Sequence, residues 1–501
     1  MIVLAGLSWW VLLGAAVVLT ALLVATRRDI QWRTGGIPGP APLPFLGNTF
    51  TMVKNADRLN DWFLEQTHQH GHTWVTSVTD NRIVMVIDPD SVDYFLNRNF
   101  KNYIRGPLRK ESLWELLGEG IFVADGREWM LHRKLAKPLF RSANIQQSMV
   151  PVFAHHLQQH LLPELLRTSS SSSNQVNLYN MFMEFTMSTF MELGLGCSAE
   201  DHLSQETRKH FAQAFEWAQE EALARNFKPW WKWTISKQFK ESIRFIDEVI
   251  YGVIRERKKD TEEELKQKTD IFSQFMLLSD DDGQPLSDRY LRDVFLNFLL
   301  AGRDTTATVL SWAFYELAMN PAVQERLLEH IHQVMKDTDI PTAEEISQLS
   351  LARQVITETL RLHPSVPQDS RFAVKEDVLP NGTKIKARDE VAYSSWVMGR
   401  VLFDRAEEFL PERWSEENAS KLPRGQFAAF HLGPQTCLGK EMAYTEAVMV
   451  MCSILKQFKL TLADGEDRKG YVTSLILVPK DGIRFHVQAR DTTTGEQQQH
   501  E

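Results

Sequence analysis

The chain has 501 residues, of which 43% are hydrophobic and 24% are charged, and its formal net charge is −9. Proteins that bind nucleic acid need a basic surface, so this charge excludes general nucleic-acid binding. The three cysteines are too few for a disulfide framework and are typical of a protein that faces the reducing cytosol.

The first segment, residues 2–26, is apolar and carries no charged side chain. A helix needs about 20 apolar residues to cross a bilayer, so the segment predicts a transmembrane anchor over residues 1–28. Arg27, Arg28 and Arg33 follow it, and the positive-inside rule then places the rest of the chain in the cytosol. A cleaved signal peptide is the alternative, although its apolar core is shorter, at roughly 7–15 residues.

A proline-rich hinge is predicted over residues 29–48. Proline occupies every second position from Pro38 to Pro44, which excludes a helix and favours an extended, stiff segment. Residues 49–490 show helical patterns, no internal repeat and no clear linker. We therefore expect one large, mainly α-helical domain with minor β-structure, followed by a disordered polar tail at residues 491–501.

Two short segments of this domain predict their own local structure. The segments "TWVTSV" and "RIVMVI" flank the turn "TDN" and predict a β-hairpin over Thr73–Ile87. The five consecutive serines at Ser169–Ser173 predict an exposed loop.

Polar residues that directly follow an apolar helical segment form the first candidate catalytic group. The apolar segment "VFLNFLL" leads into "AGRDTT", Ala301–Thr306. Burying the side chains of Asp304 and Thr305 is costly unless they meet water or a ligand, so we expect them to handle protons there. Gly302 is expected to open room beside the helix. The alternative is a core helix in which a threonine hydroxyl bonds its own backbone.

The loop "FHLGPQTCLG" places Cys437 in a segment too interrupted for helix or strand. A zinc site needs about four Cys or His ligands, and His431 is the only other one in the loop. A cysteine nucleophile needs a histidine base, and no histidine is distinguished by its pattern. Haem iron needs a single cysteine thiolate. Gly433 and Gly439 would let a porphyrin approach, and Phe430 would shield the thiolate from water.

The loop resembles the haem-binding signature of the cytochrome P450 family, usually written FxxGxRxCxG. Phe430, Gly433, Cys437 and Gly439 match it. Gln435 departs from it, because the family usually has an arginine there that pairs with a haem propionate. The resemblance implies that Cys437 is the axial ligand of the iron of haem b and that the other three matching residues also bind this cofactor.

Other segments match further motifs of the family in the required order. "ETLR" contributes Glu358 and Arg361, and "PERW" contributes Arg413. The resemblance implies that these three residues form a buried charge network that braces the loop leading to the cysteine. Because buried charges are tolerated only when they are paired, we expect this network to be structural and not catalytic.

The resemblance also implies partners for the haem propionates. "WMLHR" matches the WxxxR motif of the family with Trp129 and Arg133, and Arg371 in "PQDSR" matches another propionate-binding position. Cationic partners matter because charge-assisted hydrogen bonds are the strong ones. We expect these three residues to offset the missing arginine at Gln435.

The resemblance covers nearly the whole chain, to about Arg490, and implies the cytochrome P450 fold. It is nearest to the membrane-bound eukaryotic fatty-acid ω-hydroxylases, through segments such as "LNFLLAGRDTT". It implies a haem-thiolate monooxygenase that inserts one oxygen atom from O₂ into a C–H bond of a lipophilic substrate, with Asp304 and Thr305 as catalytic residues. Electrons would come from NADPH through NADPH–cytochrome P450 reductase. The anchor would hold the protein as a single-pass species in the lipid of the endoplasmic reticulum, with its catalytic domain in the cytosol.

Some alternatives stay open at this point. The basic segment Arg127–Arg141 is either a solvated face or the surface that binds the acidic reductase. The same scaffold can isomerise or dehydrate peroxides without a reductase, although the retained Asp304–Thr305 pair argues against that chemistry. Gln435 leaves another alternative, a membrane-anchored binding protein that holds haem poorly.

Overall fold

The computed structural model describes residues 2–196, 204–225, 236–467 and 469–490. At residues 2–14, at residue 16 and at a few isolated positions it describes the backbone alone. The predicted tail, residues 491–501, lies outside the described residues. Within the described ranges the chain is mainly α-helical with a minor part in small sheets, so the predicted fold class is confirmed.

Helix α1, Ile2–Thr34, joins the N-terminal segment to the rest of the molecule. It continues past residue 28, so the predicted boundary between anchor and hinge falls inside the helix. Arg33 Nε donates to Asp29 Oδ2 at 2.8 Å, and Arg33 Nη1 donates to Ser77 Oγ at 3.3 Å. The predicted anchor lies largely on residues whose side chains are not described. Among the residues that are described, the structure has no helix long and apolar enough to cross a membrane.

The proline-rich segment after α1 is attached to a β-strand along its length. The Val75 N–H donates to the Pro38 carbonyl at 2.8 Å, and the Asn48 N–H donates to the Ser77 carbonyl at 2.7 Å. The buried Asn48 side chain also accepts from Thr76 Oγ1 at 3.1 Å. Prolines lack an N–H, so the carbonyl groups and Asn48 make the attachment.

The remaining helices divide into an N-terminal and a C-terminal set. The first set is α2 Thr49–Lys54, α3 Leu59–His70, α4 Pro89–Asp93, α5 Pro107–Leu117, α6 Gly126–Ala136, α7 Ser142–Asn144, α8 Val150–His156, α9 Leu162–Ser169, α10 Leu178–Leu195, α11 Gln205–Ala224 and α12 Lys237–Arg257. The second set is α13 Glu262–Gln267, α14 Ile271–Met276, α15 Asp288–Met319, α16 Pro321–Val334, α17 Ala343–Gln348, α18 Ser350–Leu362, α19 Ser395–Val401, α20 Glu416–Ala419 and α21 Lys440–Gln457.

The strands form small sheets around these helices. They are β1 Thr73–Val78, β2 Asn81–Val86, β3 Tyr103–Ile104, β4 Gln175–Asn177, β5 Gln368–Ala373, β6 Asp377–Val378, β7 Lys384–Ile385, β8 Glu390–Ser394, β9 Phe458–Leu462, β10 Tyr471–Thr473, β11 Leu477–Pro479 and β12 Arg484–Ala489. The largest sheet has the order β1-β2-β8-β5-β3. β1 and β2 pair antiparallel, which confirms the predicted hairpin. β5 pairs with β8 and places Arg371 opposite Val391.

Helix α15 is the central element of the core. Its 32 residues span about 48 Å, and it is preceded by the N-cap Ser287, whose hydroxyl accepts from the Tyr290 N–H. Most of its side chains are buried, and these include the charged groups of Arg292, Asp293 and Asp304. It packs tightly along α10. A Cβ atom added at Gly302 would lie only 2.2 Å from the Phe190 ring of that helix. α15 is thereby fixed in the interior, with "AGRDTT" near its middle.

Candidate functional site

The cysteine loop is a tight backbone structure that ends at the start of α21. The Cys437 N–H donates to the Phe430 carbonyl at 2.9 Å, and the Thr436 N–H donates to the Gly433 carbonyl at 3.1 Å. α21 begins at Lys440, so the cysteine lies just before a helix N-terminus. The N-terminal end of a helix dipole favours negative charge, which includes a thiolate.

The Cys437 side chain is exposed, although enough protein surrounds it for desolvation to raise the pKa of its thiol. The Gly439 N–H and the positive charges of Arg133 and Lys440 act the other way and lower that pKa. A metal cation at the sulfur would add the charge that deprotonation of a buried thiol needs.

The two glycines of the loop have different roles in the structure. Gly433 has φ +62°, and a Cβ there would lie 2.7 Å from the backbone of Leu96 and Asn97. Gly433 is therefore required where the loop packs against protein. At Gly439 a Cβ would meet only Phe140, at the ordinary distance of 3.7 Å, so open space lies beside this glycine. Of the two, Gly439 fits the predicted approach of a porphyrin.

Trp129 and Arg133 lie together on α6, beside the cysteine loop. Arg133 Nη1 donates to the Thr436 carbonyl at 2.6 Å, and its guanidinium carbon lies 5.7 Å from the centroid of the Trp129 ring. The Trp129 ring is buried in a small cluster that Leu438 contacts. α6 therefore brings Arg133 into contact with Thr436 and Trp129 into contact with Leu438, and these two contacted residues flank Cys437 in sequence.

Arg371 lies at the site but binds protein atoms. Its Nε and Nη2 donate to Gln435 Oε1 at 2.8 Å and 2.6 Å, and its Nη2 also contacts His431 Nε2. Its Nη1 donates to Asp369 Oδ2 at 2.8 Å and to the Ser370 carbonyl at 2.6 Å. The structure thus pairs Arg371 with Gln435, the residue that stands where the family signature has an arginine.

Arg105 is a cation near the site that sequence reasoning missed. Its Nε is buried and has no hydrogen-bond partner in the described part of the chain. Burial, together with the charges of Arg371 and Arg109, lowers the pKa of Arg105 to about 9, although the carboxylates of Asp369 and Asp125 act the other way. A carboxylate ligand would stabilise the charge of this partly buried guanidinium. The segment "YIRGPL" matches no motif, so only the fold reveals the proximity of Arg105 to Arg371.

The predicted charge network of Glu358, Arg361 and Arg413 is present. Arg361 Nε and Nη2 each donate to a Glu358 carboxylate oxygen at 2.8 Å, and both side chains are fully buried. Arg413 Nε lies 3.3 Å from Glu358 Oε1. Trp414 Nε1 and the Leu410 N–H also donate to this carboxylate, at 2.8 Å and 2.9 Å. The indole of Trp414 is a network member that the motifs did not indicate.

The middle of α15 presents Thr305 and buries Asp304. Thr305 is partly exposed and its hydroxyl donates to the Ala301 carbonyl at 2.6 Å, which is the backbone bond that we considered as the alternative. Asp304 is buried, and burial raises the pKa of its carboxyl, while Arg303 and a hydrogen bond from Gln219 lower it. The expected space at Gly302 is filled by the Phe190 ring of α10.

The residues of the site fit a haem group. Cys437 offers one metal ligand, and within the described ranges no group of three or more His, Cys, Asp or Glu side chains could hold a metal ion by itself. Haem needs only this thiolate from the protein, because the porphyrin supplies four ligands. Arg105 and Arg133 fit the two propionates, since each guanidinium has donors for which the described residues supply no hydrogen bond.

Comparisons with known proteins match most of this chain. The family model for "Cytochrome P450" matches residues 37–487. Cytochrome P450 704B1 of Arabidopsis thaliana is 32% identical over 515 residues, which cover 92% of this chain and 96% of that protein. Cytochrome P450 86B1 of the same plant is 32% identical over 80% of this chain and 75% of its own length. The crystal structure of the cytochrome P450DA haem domain matches with a TM-score of 0.77 at 21% identity, over 91% of this chain and 97% of that one, and shares the fold.

Proposed function

Because this chain belongs to the cytochrome P450 family and is therefore a monooxygenase, we propose that it hydroxylates fatty acids with a haem b group held on Cys437. The observation that carries the haem site is the exposed thiol of Cys437, in a loop that Arg133 contacts and that leads into the start of α21. The substrate class is supported by the resemblance of the "AGRDTT" region and its flanks to fatty-acid ω-hydroxylases.

The protein residues of this site hold the cofactor and set its electrostatics. When bound, haem supplies the activation of O₂ that side chains lack. Cys437 would ligate the iron, with the Gly439 N–H and the charge of Arg133 favouring its thiolate. Arg105 and Arg133 would pair with the propionates, and Trp129 would line this end of the site.

Asp304 and Thr305 are suited to proton handling. Asp304 Oδ1 lies 3.3 Å from Arg303 Nη1, but the two atoms are not aligned for a hydrogen bond. Burial raises the pKa of the Asp304 carboxyl, which favours its protonated form relative to that of an exposed aspartate. The Thr305 hydroxyl donates its proton to Ala301 and keeps its lone pairs free to accept one. These features favour O₂ chemistry over the isomerisation of peroxides.

We also propose that the protein is a single-pass species of the endoplasmic reticulum membrane. Large apolar side chains are exposed on the described part of α1 and again on the segment that follows it, at Leu43, Phe45, Leu46, Phe50 and Val53. The Phe45 N–H donates to Asp29 Oδ2 at 2.9 Å, which holds this second group beside the end of α1. Contiguous exposed apolar surface of this kind is typical of a membrane contact.

The electron donor that we propose is NADPH–cytochrome P450 reductase. Arg127 and Lys134 on α6 are exposed and share the carboxylate of Asp281, at 3.4 Å and 3.2 Å. Lys137 and Arg141 are exposed further along the same segment. A basic surface next to the helix that holds Arg133 is suited to an acidic partner.

The carbon-monoxide difference spectrum of the reduced protein tests the haem site. We expect a band at the position typical of a thiolate ligand, and we expect Cys437→Ala to abolish it. Cys452→Ala is the matched control, because this thiol is buried elsewhere in α21 and its loss should leave the band. A band that survives in Cys437→Ala would contradict the assignment of the ligand.

Turnover with a panel of fatty acids tests the reaction. The protein is incubated with NADPH and the purified reductase, and the position of the new hydroxyl group is determined by mass spectrometry. We expect hydroxylation that requires both NADPH and the reductase. Conversion of lipid hydroperoxides without reductase, and no hydroxylation, would support the isomerase alternative instead.

A further inference from the structure

The turn that precedes α15 carries three consecutive acids, Asp280–Asp282, and we call it the acidic turn. Its first carboxylate holds the turn together, because Asp280 Oδ1 accepts from the Asp282 and Gln284 N–H groups at 2.9 Å and 2.8 Å. The Asp280 N–H donates to the Gln284 carbonyl at 2.9 Å. Asp281 and Asp282 are exposed. The turn thus uses one carboxylate internally and presents two at its surface.

The acidic turn contacts two cations of α6. Lys134 Nζ donates to Asp281 Oδ1 at 3.2 Å, and Arg127 Nε donates to Asp281 Oδ2 at 3.4 Å. These contacts join positions that are 147 and 154 residues apart in sequence. The hydrogen bond from Lys134 lowers the pKa of Asp281, so this carboxylate is charged at neutral pH. One negative charge is therefore shared by two exposed cations.

Arg127 and Lys134 flank an exposed methionine on one face of α6. Met130 lies three positions after Arg127 and four before Lys134, a spacing that places all three side chains on the same side of the helix. Met130 is 56% exposed. Arginine and methionine are enriched at protein interfaces, and positive charge around an apolar side chain suits a partner with an acidic surface. Asp281 thus neutralises the charges on both sides of this apolar contact.

Lys137 and Arg141 continue the basic surface beyond the reach of the acidic turn. Both are exposed, and among the described residues no carboxylate lies within ion-pair distance of either. An acidic partner meets these two cations directly, whereas at Arg127 and Lys134 it has to compete with Asp281. Exposed ion pairs contribute little stability, so a partner that brings several carboxylates can displace a single one.

We propose that the acidic turn occupies part of the surface at which the electron donor binds, and that the donor displaces Asp281 from Arg127 and Lys134. The inference rests on the proposed binding of the reductase to this surface and adds to it an internal competitor. Asp281 weakens the complex and disfavours proteins that have too few carboxylates to replace it. The surface therefore fits a protein with several carboxylates around an apolar contact.

The affinity for purified NADPH–cytochrome P450 reductase tests the proposal. The full chain, loaded with haem and held in lipid nanodiscs, is titrated with the reductase at about 20 mM and about 500 mM salt, and the Kd is measured at each concentration. Asp281→Asn should lower the Kd about threefold at the low salt concentration, because two cations are released. The gain should disappear at the high salt concentration, which screens exposed charges.

Asp282→Asn is the matched control, because it removes the same charge from the same turn, while Asp282 forms no ion pair with the described residues. Its Kd should change less than about 1.5-fold. Arg127→Gln and Lys134→Gln in one chain remove the cations that Asp281 contacts. In that chain Asp281→Asn should bring no gain, which completes a mutant cycle that isolates the contact.

Three results would overturn the proposal. The first is a Kd for Asp281→Asn that equals or exceeds that of the unmodified protein. The second is an equal gain in Asp281→Asn and Asp282→Asn, which would show an effect of net charge alone. The third is a gain from Asp281→Asn that persists without Arg127 and Lys134.

Failure of the proposed reductase surface looks different. Lys137→Gln removes a cation of the same surface that the acidic turn does not contact, and it should raise the Kd about twofold to threefold. An unchanged Kd in Lys137→Gln would contradict the surface itself. If Lys137→Gln weakens binding and Asp281→Asn has no effect, the reductase surface stands and the inference about the acidic turn is wrong.

Discussion

Gln435 Oε1 accepts two hydrogen bonds from one guanidinium, that of Arg371, at 2.8 Å and 2.6 Å. This contact changes the meaning of the single departure from the haem-binding signature. A glutamine in place of arginine is not merely a lost propionate partner, since it acquires a partner of its own. The consequence can be tested by restoring the residue that the signature has.

Gln435→Arg should destabilise the haem-free protein by about 1–3 kcal/mol. The substitution removes the acceptor of two N–H groups and places a second cation against Arg371, which is buried. The signature alone suggests that an arginine here tightens haem binding, which is a separate property. The urea midpoint of the haem-free protein tests the structural expectation, with Gln435→Glu as the control that keeps an acceptor. An unchanged midpoint in Gln435→Arg would contradict the structural expectation.

Glu358→Ala should destabilise the protein by roughly 3–5 kcal/mol. The change leaves the fully buried Arg361 without its counter-ion and frees the Trp414 indole N–H. Glu417→Ala is the matched control, because its ion pair with Lys421 is exposed and exposed pairs contribute little. Denaturant-induced unfolding measures both variants. Similar midpoints for the two would show that the network contributes no more than a surface pair.

Glu446→Gln should remove a dependence of stability on pH. Burial raises the pKa of Glu446 to about 8, and its Oε1 accepts from Thr189 Oγ1 at 3.3 Å. The folded state therefore keeps a proton that the unfolded state releases, so the free energy of unfolding falls as pH rises from about 4.5 to about 8. We expect the unmodified protein to lose at most about 5 kcal/mol over this range relative to Glu446→Gln. Parallel curves of unfolding free energy against pH would contradict the shifted pKa.

Asp304→Asn should lower kcat by roughly 10²-fold or more while the carbon-monoxide difference spectrum stays the same. The amide nearly preserves the shape of the side chain but cannot carry the proton that the carboxyl holds. Asp339→Asn, at an exposed position, is the control. If Asp304→Asn turns over at the normal rate with reductase and substrate, then protons reach the site by another route.

Gly302→Ala should destabilise the protein by about 1–3 kcal/mol, because the new methyl group would meet the Phe190 ring at 2.2 Å. Phe190→Leu in the same chain should restore part of the loss by vacating that volume. Gly470→Ala is the control, since no atom lies within 4 Å of a Cβ placed there. Thermal unfolding of the unmodified protein, Gly302→Ala, Phe190→Leu and the double variant forms a double-mutant cycle. Additive losses would show that Gly302 is required for a reason other than this contact.

The motifs predicted which residues belong to the site more accurately than they predicted the contacts among those residues. Cys437, Trp129 and Arg133 come together as expected, and Glu358 pairs with Arg361, because each motif joins residues that a loop or a helical turn keeps close. Gly302 and Gly433 were expected to leave space, but neighbouring chain segments fill it. Local sequence cannot indicate which distant side chain will pack against a glycine.

The sequence by itself determined the class of this protein. Periodicity predicts a mainly helical chain, and the cysteine loop, the Glu-Arg pair and the Asp-Thr pair resemble motifs of the cytochrome P450 family, which are short stretches of sequence. Only the tertiary structure decided which partners the arginines near the cysteine loop meet. Arg105, Arg371 and Gln435 are far apart in the chain, and the charge and hydrogen bonding of a buried guanidinium depend on neighbours that folding alone brings within reach.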